Sequence, residues 1–207
     1  MPRFPALRVR AAATALALLL LPLGCASTKL ADVWKAPDPG TPPRKVLVVA
    51  VVPSQTTRRM MEGELAERLQ QHGLKAVPIN SLTPEGPPPD RAKVEELVRR
   101  DGFDAVVVSR YAGAEDTVEY VPGGPVGNPA AMGFYGYYGA LYPTVYTPGA
   151  VIQNETVHVE TMLYRAQGKG ELVWSTNSKT FNPSSPYKAI EDISGAVVSR
   201  MAKDKVI

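Results

Sequence analysis

Apolar and polar residues recur with different periods along this chain, and each change of period marks an element. Residues 45–52, KVLVVAVV, form an unbroken β-branched run, which predicts a strand covered on both faces. The period then lengthens: Met61, Leu65 and Leu69 recur at helical spacing behind capping hydroxyls at 54–57, and Gly73 closes that helix. Residues 75–80 read as a second short strand and 81–89 as a proline-rich loop. Asp90 can cap a second helix carrying Val94, Leu97 and Val98, which ends at Gly102. Residues 104–111, DAVVVSRY, read as a third strand. Strand–helix–strand–helix–strand with connections of this length predicts parallel crossovers.

The pattern then lapses. Residues 112–150 are rich in Gly, Pro and Tyr and follow neither a helical nor a strand period. Strict alternation returns at 153–165, with Val157, Val159, Thr161 and Leu163 on one face and His158, Glu160, Met162 and Tyr164 on the other. A turn at 166–170 and a strand at 171–176 complete an antiparallel hairpin. Ser185 and Pro186 open a last helix whose buried stripe is Tyr187, Ile190, Ile193, Val197 and Met201. Trp174 is expected beneath that helix, near Ile190 or Ile193, with Val173 facing the other way. The expected fold is α/β with an α+β tendency, a two- or three-layer sandwich of about five strands in a mixed sheet with three helices. Its order is β-α-β-α-β-insert-β-β-α, in one domain over 45–207 with the insert at 112–150.

The first 24 residues read differently. Arg3, Arg8 and Arg10 precede an apolar run over 11–21 broken only by Thr14, and small residues follow from Gly24. A basic start, a short apolar centre and a small-residue exit predict a secretory signal over 1–24. The run is short of the roughly 20 apolar residues a spanning helix needs. Cys25, the only cysteine, sits where the run ends. A lone exported thiol has no internal disulfide partner. Leu23, Gly24 and Cys25 resemble the end of a lipoprotein box, so Cys25 is expected to carry the lipid anchor. Ordinary cleavage after Ala26 is the alternative. Residues 25–44, with APDPGTPP at 36–43, read as a Pro-rich tether.

Charge then excludes a class. Arg3, Arg8 and Arg10 are the whole excess of 23 basic over 20 acidic side chains, so the chain after Cys25 is formally neutral. No basic cluster suits nucleic acid. Chemistry is equally sparse. His158 and Glu160 lie two apart on one strand face, too few for a metal site, and His72 sits near a helix end. Ser109 ends the third strand without a Gly-x-Ser-x-Gly elbow. Asp101 with Asp104, and Glu95 with Glu96, read as solvated pairs, and Gly123-Gly124 precedes no helix start that would aim donors at phosphate. No cofactor or metal is expected.

The insert holds the densest aromatic cluster: Phe134, Tyr135, Tyr137, Tyr138, Tyr142 and Tyr146. Tyrosine combines stiff apolar area with a polar tip, which suits partner surfaces, glycan stacking or a membrane interface. Rings folded back to cover the sheet, or a disordered segment awaiting a partner, are the competing readings.

The hairpin segments Glu160–Tyr164, Gly168–Glu171 and Leu172–Ser175, with KVLVVAVV and the closing helix, resemble a group of small bacterial envelope lipoproteins. They are similar in architecture to curli-secretion lipoproteins, lipoprotein activators of penicillin-binding proteins, and the amino-terminal domain of the Tol propeller protein. Arg165 stands where that group often has Asp. The resemblance implies binding or assembly rather than catalysis. The expected function is therefore a lipid-anchored envelope binding or scaffolding lipoprotein, held to the membrane through acylated Cys25 and meeting another envelope protein or cell-wall glycan. The alternatives are a self-assembling structural subunit and a cell-wall hydrolase. Ala26 after the cysteine, rather than Asp, points by the same resemblance to the periplasmic face of the outer membrane.

Overall fold

A computed structural model describes residues 28–84, 89–121, 129–144 and 149–207. In chain order the elements are β1 (Thr28–Lys35), β2 (Lys45–Val51), α1 (Gln55–Gln71), β3 (Lys75–Pro78), the single turn α2 (Ile79–Leu82) and α3 (Arg91–Asp101). They continue with β4 (Ala105–Val121), α4 (Pro129–Thr144), β5 (Ala150–Arg165), β6 (Leu172–Phe181) and α5 (Pro186–Lys203). The strands form one mixed sheet in the order β1-β6-β5-β4-β2-β3. β2 pairs in parallel with β3 and β4, and the remaining pairs are antiparallel. The expected α/β sandwich is the fold, with six strands and five helices among the described residues rather than about five and three.

The unbroken run at β2 has the predicted cause. Val46, Val48 and Ala50 face a core shared with α1 and α5, while Leu47 and Val49 face a second, smaller core built on Leu97 and Phe103. The sandwich is thus three layers deep where α2 and α3 cover the second face. It is two layers deep at β5, β6 and β1, where only the α1–α5 face is covered. Local signals set the helix ends. Ser54, Asp90 and Ser185 each accept a backbone N–H of the first turn, from Thr57, Lys93 and Lys188. Gly102 ends α3 in the left-handed region, φ 65°, where a side chain would be strained.

Three expectations need correction. Most of the expected tether is structure: Thr28–Lys35 is the edge strand β1, paired with β6. The prolines begin only at Pro37, so the average composition of 25–44 concealed a segment that can bury Thr28 and pack Leu30 and Val33 on the core. Residues 36–44 then cross one end of the sheet from β1 to β2, pinned where Ala36 N–H donates to Val173 and the Arg165 guanidinium donates to Pro39 O at 2.5 Å. The second correction concerns the insert. β4 runs on to Val121 and β5 starts at Ala150, so the insert's two ends pair as a ribbon that leaves the sandwich. Its middle contains α4, kinked at Gly133. Periodicity missed both because β4 past Gly113 and residues 131–139 of α4 are exposed and show no buried face.

The third is the setting of Trp174. Its side chain is fully buried, as expected, but its indole N–H donates to Asp204 Oδ2 at 2.9 Å. That bond sets it under the carboxy-terminal end of α5, about three turns beyond Ile193. Nor does Val173 face away. The register of β5 and β6 slips at this point, with Leu163 opposite Trp174 and Tyr164 opposite Leu172, so Val173 is the extra residue of a bulge and joins Trp174 in the core.

Candidate functional site

The carboxy ends of β2 and β6, the amino ends of α1 and α5, and the start of β1 all lie at one pole of the sandwich. The ribbon of β4 and β5 leaves from the same pole. At its root Asn182, just after β6, staples β5: its N–H donates to Glu155 O at 2.8 Å, and Glu155 N–H donates to Asn182 Oδ1 at 2.7 Å. Between α1 and α5 lies a cleft of about 380 Å³ walled by Val52, Met61, Tyr111, Val157, Ile190 and Ile193, with Glu155 at its rim.

The ribbon changes character along its length. Near the root it is acidic, and Asp116 stands directly opposite Glu155, an unfavourable cross-strand pair. Towards the tip it is apolar: Val118, Tyr120, Val121, Val151 and Ile152 are all exposed. On α4, Phe134 and Tyr135 are 72% and 87% exposed, with Tyr137 and Tyr138 also exposed. Phe134 packs edge-on to Tyr135 (centroids 5.2 Å apart) and stacks on Tyr138 (6.1 Å). These rings therefore touch one another and do not roof the sheet. Of the other expected contact residues, Tyr142 has its backbone in α4, and Tyr146 lies outside the described residues, as does Cys25.

The apolar ribbon tip was missed from the sequence, although a signal was there. From Tyr120 to Asn154 the chain carries no charged side chain.

The acidic, histidine and serine side chains are dispersed and engaged locally. Glu160 pairs with Arg110 at 2.7 Å, while His158 lies 3.8 Å from Glu115 on the ribbon. Glu95 pairs with Arg91, Glu96 with Lys93, and Asp101 with Arg100. The Arg91 and Arg100 partners hold Glu95 and Asp101 below their ordinary carboxylate values. Asp104 instead ties strand ends together, accepting the backbone N–H groups of Arg44 and Lys45 at 2.9 Å each. Ser109 is buried and hydrogen-bonded to Thr161 at 2.9 Å. Among the described residues no three His, Cys, Asp or Glu side chains gather as a metal site.

No family model matches the chain, and no curated protein does. Among solved structures it is similar to a PelC dodecamer from Paraburkholderia phytofirmans, at 14% identity and a TM-score of 0.46, covering 83% of this chain and 95% of that one. It is also similar to lipoprotein GNA1162 from Neisseria meningitidis, at 16% identity and a TM-score of 0.42, covering 78% and 99%. Likeness of this degree assigns neither family nor function. What the pole offers is exposed apolar area on a long arm.

Proposed function

We propose that this chain is a lipid-anchored, non-catalytic binding or scaffolding module of the bacterial cell envelope, with the ribbon and α4 as its contact surface. The observation that carries the reading is the exposure of the α4 rings on a ribbon that stands clear of a closed core. Large aromatics exposed among the described residues are the usual mark of a contact surface. Glu95 and Asp101 are engaged in ion pairs, and Asp104 holds strand ends together. Self-assembly through the sheet edges is the weaker reading: β3 is four residues long and ends in Pro78, and β1 is bulged between Ala31 and Trp34.

Two variants test the proposal. Cys25→Ala should abolish acyl labelling and membrane retention, and unchanged labelling would remove the anchor. Replacing residues 133–146 with a Gly/Ser linker should leave the fold intact and lose the envelope component that co-isolates with the parent. An unchanged set of co-isolated proteins would remove a protein as what the ribbon meets. The lipid is assigned to the periplasmic face of the outer membrane, and sedimentation with inner-membrane vesicles would contradict that.

A further inference from the structure

The strand registers put the chain's exit and the ribbon on one axial scale. Thr28 pairs with Thr180, Thr180 with Val157, and Val157 with Ala114, so these four residues share a level. Successive antiparallel pairings mean that the direction back from Thr28 is the direction forward along β4. Cys25 is three residues back, and three residues span at most about 10 Å. β4 continues seven residues past Ala114, which at 3.4 Å each is about 24 Å. The ribbon therefore reaches more than ~10 Å beyond any position Cys25 can take along that axis.

Composition changes at the same level, about Thr117 and Asn154. On the sandwich side lie Glu115, Asp116 and Glu155. Beyond it Glu119 is the one charge until the chain returns to Asn154. Because Thr28 is fixed in the sheet by its hydroxyl bond to Thr180 (2.7 Å), no long tether lets the domain stand away from a bilayer that holds Cys25.

We infer that the ribbon tip and α4 seat in the interfacial zone of the membrane that carries the Cys25 lipid. The inference rests on the anchor proposed above and names the bilayer as the component the aromatic surface meets. No helix among the described residues is long and apolar enough to cross a membrane, and an open two-stranded ribbon leaves edge backbone groups that hydrocarbon does not satisfy, so the contact is interfacial. Tyrosine-rich surface suits that zone, where the ring lies among acyl carbons and the hydroxyl among headgroups. If the ribbon leans, the same residues lie along the headgroup plane. The acidic root stays in water on either geometry.

The sole cysteine makes the test clean. In the lipidated chain Cys25 is blocked, so Tyr135→Cys and Lys203→Cys each present a single free thiol for a polarity-sensitive fluorophore. Both variants are reconstituted as full lipidated chains in phosphatidylethanolamine/phosphatidylglycerol vesicles. The Tyr135 probe should shift to the blue and be quenched by spin-labelled lipid. The Lys203 probe, at the far end of α5, should respond only to aqueous iodide. A Tyr135 probe that stays iodide-accessible on floating vesicles would overturn the membrane contact and leave the anchor intact. A parent chain that fails to float and reacts with maleimide at Cys25 would overturn the anchor and the contact together.

Discussion

The sandwich and the ribbon share two strands, β4 and β5, which obey opposite rules in each. Within the sandwich, β4 and β5 bury Ala105, Val107, Val159 and Leu163, and their buried hydroxyls on Ser109 and Thr161 bond each other. Past Gly113 every β4 side chain is exposed, β5 is exposed from Ala150 to Gln153, and the two strands carry a like-charged pair, Asp116 opposite Glu155. A two-stranded ribbon with no core is marginal on its own. Its order comes from the strands below and the Asn182 staple at its root, while its apolar tip adds nothing to the core. Buried core and exposed apolar surface are thus divided along a single pair of strands.

That division can be broken or sharpened by substitution. The largest effect belongs to Trp174→Ala, which empties a fully buried site and leaves Asp204 without its indole donor. The expected loss is roughly 3–5 kcal/mol, read as a fall in the urea midpoint. A midpoint near the parental value would place the core elsewhere. Next comes Glu62→Ala. This carboxylate is fully buried and accepts from the backbone N–H of Ala50 and of Asn80 and from the Asn80 amide, tying α1 to β2 and the start of α2. Orphaning those donors should cost about 1–3 kcal/mol, since water can enter the vacated space. An unchanged melting temperature would mean the carboxylate contributes nothing to the sandwich.

A smaller and pH-dependent effect is expected at Asp204. Burial pushes its pKa up, but hydrogen bonds from Trp174 and Arg200 outweigh burial and hold it below the ordinary 3.8. A depressed folded-state pKa stabilises above the unfolded value, and the contribution disappears as pH falls through the folded one. Asp204→Asn should therefore be less stable than the parent at neutral pH, and the gap should close as pH drops below 3.8. A gap that widened in acid would contradict this.

How much the sequence reveals follows the same boundary. Where elements bury a face, period and capping residues are informative: β2, α1, α3, α5 and the hairpin stand where they were expected, capped by Ser54, Asp90 and Ser185. Where no face is buried, the period carries no signal. The ribbon ends at 112–121 and 150–152 read as irregular because side chains in water need not alternate. β1 escaped for another reason: it is an edge strand whose pairing with β6 lies across the whole domain, and the neighbouring prolines dominated its composition. The α4 aromatics were legible by composition alone, but their exposure was not, because composition cannot say which side of a chain meets water. The sequence predicts which helix covers Trp174 but not which end of it, since the hydrogen bond to Asp204 has no local sequence signature.

The most direct test of the division is to remove the ribbon and ask whether the sandwich notices. Residues 117–154 are replaced by an Asn-Gly turn joining Asp116 to Glu155, a loop that suits a two-residue hairpin. The melting temperature should stay within about 4 °C of the parent, the scale of 1 kcal/mol in a domain of this size. A fall as large as that of Trp174→Ala would make the ribbon part of the core, and the separation of stability from contact would be wrong.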